Sequence, residues 1–143
     1  MSEQVSGSEA IEIEGIVEDE VGEPRNDGSQ GSGLYKVPIR LSARPSKTWA
    51  RLFVETWNHP PRFTTMHRAG IASVIGDKII LDGTTIEEVE KYHAETLRLV
   101  VDKVNSDAGV IEEQDRKRRE TAEAESAQHR DHVREVSGRI RFD

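Results

Sequence analysis

The stretch IASVIGDKIILDG, residues 71–83, constrains the fold more than any other part of this chain. Two β-branched runs flank Gly76-Asp77, and a two-residue turn of that composition specifies a β-hairpin. Pairing residue 75 with 78 puts Ala72, Val74, Ile79 and Leu81 on one apolar face and Ile71, Ser73, Lys78, Ile80 and Asp82 on a mixed one. An apolar sheet face has to be covered by another layer. The next residues supply one: Thr84 or Thr85 N-caps a helix, with Glu87 or Glu88 three residues later in a capping-box pattern. Ile86, Val89, His93, Leu97, Val100 and Val104 then recur at helical spacing with Val101 beside them, so His93 falls on the apolar stripe. As a core histidine it is expected to satisfy its ring nitrogens with backbone or hydroxyl partners.

A similar order precedes the hairpin. In AIEIEGIV, Ile11 and Ile13 alternate with Glu12 and Glu14 until Gly15 breaks the period, as a bulge does. In LYKVPIRL, Tyr35, Val37, Ile39 and Leu41 face one way and Lys36, Pro38 and Arg40 the other. Pro38 cannot donate to a ladder, which predicts an edge strand or an end of pairing there. Ser46 is an N-cap for a helix that must stop before Pro60 and Pro61, hence roughly 47–58. Trp49, Leu52, Phe53 and Trp57 form its stripe, and that spacing is typical of core; Trp57, at the helix end, is expected to be partly exposed. The fold class is therefore α+β: an antiparallel sheet of about four strands with two amphipathic helices on one face, in ββα-ββα order, followed by a charged C-terminal helix.

At 143 residues there is room for one domain of ordinary size. Apolar residues make up 34% and charged residues 33%, so part of the chain cannot pack well. The sequence predicts a mobile tail over 1–9, a domain over 10–106 with a flexible acidic and then Gly/Ser-rich connection at 19–33, and a charged helical or partly disordered tail over 107–143. From Glu112 to Asp131 no apolar side chain exceeds alanine, while Glu112–Arg116, Glu113–Lys117 and Asp115–Arg119 are acid-before-base pairs at i,i+4. The absence of cysteine excludes disulfides and thiolate chemistry. With no basic leader and no apolar run of membrane-spanning length, a cytoplasmic protein without a membrane partner is expected.

Charge is segregated: residues 1–34 carry nine acids against Arg25, whereas 35–78 carry eight bases against Glu55 and Asp77. Within the basic segment lies the aromatic-rich WARLFVETWNHPPRFTTMHR, residues 49–68. Its end supplies the candidate partner-binding residues Trp57, His59, Arg62, Phe63, Met66, His67 and Arg68, types enriched where proteins meet and stiffened by a double proline. Lys36, Arg40, Arg44, Lys47 and Arg51 are candidates for a nucleic-acid surface, unless Glu12 and Glu14 occupy Lys36 and Arg40 across the sheet.

Catalytic motifs are missing: there is no nucleophile elbow and no phosphate-binding loop signature. His59 and His67 leave a small enzyme with loop histidines as an alternative. No metal is expected, since Glu90 with His93 and His129 with His132 each give two ligands and no more; no cofactor is expected either. The favoured function is a non-enzymatic protein-interaction or adaptor module working through the 57–68 loop and the charged helix, its partner a protein or a second copy of itself. The alternative is a nucleic-acid-binding accessory protein using segment 35–78.

Overall fold

The structure, a computed structural model, describes residues 10–26, 28 and 32–143. The tail expected at 1–9 and part of the expected 19–33 connection lie outside the described residues. The elements run β1 (Ile13–Ile16), a 3-10 turn (Glu18–Glu20), β2 (Tyr35–Leu41), α1 (Lys47–Asn58), β3 (Ala72–Ile75), β4 (Lys78–Thr84), α2 (Ile86–Glu88), a π-helical turn (Val89–His93) and α3 (Ala94–Ser137). The protein is α+β, with a four-stranded antiparallel sheet in the order β1-β2-β4-β3 and a long C-terminal helix. Two compact units divide between Gly109 and Val110.

The hairpin has the register that its pattern predicts, with Ala72 opposite Leu81, Val74 opposite Ile79 and Ile75 opposite Lys78. Gly76 takes φ +62° while Asp77 keeps a negative φ, the combination of a type II′ turn, whose twist suits a hairpin. On β1 the expected bulge is present: the register shifts between Ile13 and Gly15, and Gly15 adopts φ +149°. Ile11 is buried beyond the end of β1, whereas Ile13 is more than one-third exposed.

Of the two readings of Pro38, an end of pairing holds and an edge strand does not. β2 is an interior strand, not an edge, because it pairs with both β1 and β4. The missing donor matters on one side only. Val17 N–H donates to the Pro38 carbonyl at 3.0 Å, but Pro38 has no N–H to return to Val17, and the Val17 carbonyl instead accepts from Glu20 N–H at 3.0 Å. Pairing with β1 thus ends at Pro38, and the freed carbonyl starts the 3-10 turn.

Helix α1 begins where Ser46 accepts a hydrogen bond from Trp49 N–H at 3.1 Å and ends at Asn58, as the following prolines require. Its stripe builds the centre of the core: Trp49 and Phe53 stack at 5.5 Å and Phe53 and Trp57 at 6.5 Å, all three fully buried or within 1% of it. Val37, Ile39, Leu41, Ile79 and Leu81 from the sheet and Leu97, Val100, Val101 and Val104 from α3 complete the cluster.

One polar residue ties this core to the start of the sheet. The Asn105 amide accepts from Ile11 N–H (3.0 Å) and from the Trp49 indole (2.8 Å), and donates to the Ile11 carbonyl (2.9 Å). Asn105→Ala leaves three partly buried groups without partners and should cost about 2–3 kcal/mol in a urea titration. A loss under about 0.5 kcal/mol would show that water replaces all three bonds.

The second unit, Val110–Asp143, is the charged part of α3 and the segment after it. Its ion pairs are local: Arg116 bridges Glu113 and Glu120, and Arg118 holds Asp115. These pairings at i,i+3 and i,i+4 support a helix whose residues are nearly all exposed.

Candidate functional site

The loop leaving α1 closes back onto the end of that helix. The Asn58 side chain accepts from Gly70 N–H at 2.8 Å, and the Trp57 indole donates to the Arg68 carbonyl at 2.9 Å. His67 Nε2 lies 2.7 Å from the Trp57 carbonyl and therefore carries the proton and donates. The His67 ring rests on Trp57 at 4.6 Å, with Phe63 edge-on to it at 5.4 Å. Pro60 is buried beneath the turn.

Two arginines then fasten the loop to the helix after the hairpin. Arg68 Nε and an Nη each donate at 2.8 Å to Glu88, a bidentate pair, and Arg62 reaches Glu95 at 2.6 Å. Glu88 also accepts from the Thr84 hydroxyl at 2.9 Å, while its own N–H donates to the Thr85 N-cap at 3.1 Å. Only half of the predicted capping box forms, because a charge-assisted fork from Arg68 is a stronger partner for the Glu88 carboxylate than the backbone N–H it would otherwise reach. The Arg68 guanidinium holds the Glu88 carboxyl down to about 2, against the burial that opposes this. Arg68 is raised in turn, chiefly by the same hydrogen bonds.

Behind this pair sits His93, fully buried and set in the π-helical turn. Contrary to expectation, neither of its ring nitrogens has a hydrogen-bond partner among the described residues, and Nε2 stands 3.7 Å from Glu88, beyond hydrogen-bonding reach. Its neighbours are the Trp57 ring edge at 5.6 Å and the His67 ring at 6.5 Å. Nδ1 of His67 is likewise buried without a partner among the described residues.

Burial pushes the His93 imidazolium below its ordinary range, outweighing the attraction of Glu88. The folded protein therefore holds His93 neutral while the unfolded chain takes up a proton below about pH 6.5. Stability should fall as pH drops from about 6.5 towards the depressed folded value, and His93→Phe should flatten that part of the profile. Equal slopes for both proteins between pH 7 and 5 would contradict the assignment.

The loop surface presents Phe63 at 60% exposure and Met66 at 38%, with Arg62 and His59 also exposed. Trp57 differs from the expectation of partial exposure: it is fully buried and supports the loop from beneath. His67 and Arg68 are half-buried, and Arg68 is held on Glu88.

Of the basic residues before the loop, Arg40 pairs with Asp77 at 3.2 Å and Arg51 with Glu55 at 3.4 Å. Lys36, Arg44 and Lys47 are exposed, and no ion pair holds them among the described residues. The alternative in which Glu12 and Glu14 occupy Lys36 and Arg40 is not seen among the described residues: the bulge sets Gly15 opposite Arg40, and Lys36 lies opposite Asp82. Among the described residues no three His, Cys, Asp or Glu side chains gather as a metal site, and no helix is long and apolar enough to cross a membrane.

Sequence reasoning missed Glu88, Thr84 and Asn105 as anchors. The acidic helix start was the signal for Glu88, Thr84 was marked only as an alternative N-cap, and nothing local marks Asn105. Comparison with protein families, with curated proteins and with solved structures returned no match.

Proposed function

We propose that the chain is a cytoplasmic, non-enzymatic protein-interaction module whose main contact surface is the 59–66 part of the loop, with the charged helix after Val110 as a second contact element. One observation carries the reading: a loop fixed by five side-chain anchors, at Asn58, Trp57, His67, Arg68 and Arg62, nevertheless displays Phe63 and Met66 to solvent. Apolar side chains held out on a fixed loop contribute little to the fold and gain by burial only when a partner covers them. A loop ordered beforehand has less freedom to lose on binding. Aromatic, Met and Arg side chains are the types that carry binding energy. The same reading takes residues 10–106 as the folded domain, with α1 and the following helix on one sheet face; the Trp49–Asn105 and Trp57–His93 contacts support that placement.

Nucleic-acid binding is the weaker alternative, because Arg40, Arg51, Arg62 and Arg68 are each held by a carboxylate. It would rest on Lys36, Arg44 and Lys47. Catalysis by loop histidines has less support still, since His67 is committed to the Trp57 carbonyl.

Affinity capture of the native protein from its own cells, with proteins and nucleic acids both identified, tests the reading against a Phe63→Ser, Met66→Ser double variant. A protein retained by wild type and lost by the variant is expected. Retention of nucleic acid that falls steeply with added salt, equal for both, would replace this reading with the alternative.

A further inference from the structure

We propose that an apolar groove beside the start of β2 is a docking site for the Arg139–Phe142 segment of a second copy of this chain. The groove arises from the Pro38 device described above. After the 3-10 turn the chain returns alongside β2, with Gly22 N–H donating to the Lys36 carbonyl at 2.8 Å and Arg25 N–H to the Leu34 carbonyl at 3.0 Å. On the other side, the Tyr35 hydroxyl accepts from Ile86 N–H at 2.8 Å and so draws the helix start to the strand. Between these walls an open groove of about 540 Å³ is lined by Ile16, Val21, Gly22, Pro24, Tyr35 and Ile86. That volume is in the range of sites that seat one or two large side chains or a small ligand. Ile86 remains 37% exposed within it.

The rim is acidic. Glu18 lines the groove, Asp19 and Glu20 belong to the same 3-10 turn, Glu23 lies on the returning segment, and Glu87 follows Ile86. Glu20 is held by Lys78 at 3.0 Å and Arg25 by Asp82 at 3.0 Å. Glu18, Asp19, Glu23 and Glu87 have no ion pair among the described residues, and Lys36 is the one nearby cation likewise without a pair among those residues. An occupant should therefore be apolar along one side and basic along the other.

Residues 139–142 have that chemistry. Arg139 and Arg141 alternate with Ile140 and Phe142, which are 50% and 96% exposed. In an extended strand this period-two pattern sends both apolar side chains to one side and both guanidinium groups to the other. Neither arginine is in an ion pair among the described residues. Residues 1–9, with Glu3 and Glu9 and no basic residue, lack the complementary charge. Phe142 or Ile140 seated in the groove, with the arginines on Glu18 and Glu23, satisfies both surfaces at once. The site shares no residue with the 59–66 loop and stands independently of the function proposed for it.

Sedimentation equilibrium of the full chain over a concentration series tests the proposal. Three double variants of exposed residues are compared with wild type: Ile140→Ser with Phe142→Ser, Arg139→Glu with Arg141→Glu, and Glu18→Lys with Glu23→Lys. Wild type is expected to self-associate, each double variant to do so about tenfold or more weakly, and the two charge variants to associate when mixed. Circular dichroism identical to wild type shows that the variants are folded. A wild type that stays monomeric throughout, or self-association unchanged in all three variants, would overturn the proposal.

Discussion

Phe53→Ala should lower the free energy of unfolding by about 3–5 kcal/mol. Phe53 has no exposed surface and is stacked between Trp49 and Trp57, so its removal opens a void between two large rigid rings rather than at an edge that can collapse. Domains of this size are typically stable by about 5–15 kcal/mol, so the variant should be marginal at room temperature. The void also loosens Trp57, whose indole anchors the Arg68 carbonyl, so damage to the core should reach the candidate contact loop. Urea unfolding followed by tryptophan fluorescence measures the loss. A cost below about 1.5 kcal/mol would mean that the three-ring stack is not the centre of the core.

Arg68→Ala should cost about 2 kcal/mol at neutral pH, less than the 3–5 expected for a fully buried pair because the arginine side chain is one-third exposed. What remains is a Glu88 carboxylate, only 16% exposed, that keeps the Thr84 hydroxyl but loses both of its charged donors. The sign of the pH dependence follows from the depressed carboxyl. Glu88 titrates at about 2 in the folded protein against an ordinary value of 4.5, so its contribution is fully present above about pH 4.5 and is lost as pH falls towards 2. The difference between wild type and Arg68→Ala should therefore shrink over that window. A difference that is constant from pH 7 to 2 would assign the loss to packing of the arginine stem instead.

Much of the fold was legible because its signals are local. Gly76-Asp77 between β-branched runs set the hairpin and its register, Ser46 and the double proline bounded α1, and Gly15 marked the bulge. The four-stranded α+β sheet and a charged C-terminal helix follow from the same patterns, but the patterns set that helix apart from the amphipathic one before it, whereas both fall within α3. What escaped depends on partners distant in sequence. Pro38 reads equally as an edge residue or an end of pairing until its silent side is seen to face the point where β1 stops. Glu88 reads as a capping-box acid until Arg68, twenty residues earlier, arrives with a stronger fork. Trp57 reads as half-exposed until His67 folds over it, and no residue pattern announces the π-helical turn that carries His93. Within the candidate site the exposed residues Arg62, Phe63 and Met66 were legible from composition, whereas the anchors that fix them were not.

The proposed function requires that Phe63 mark a protein-binding surface. Its most direct test places a photoreactive amino acid at position 63 of the full chain and, as a control, at exposed Asp102, outside both proposed contact elements, followed by irradiation in the native cells. A discrete protein adduct is expected from position 63, weakened by Arg62→Ala and absent from the control. Adducts to nucleic acid at position 63, or no adduct there that the control does not also give, would contradict the proposed function.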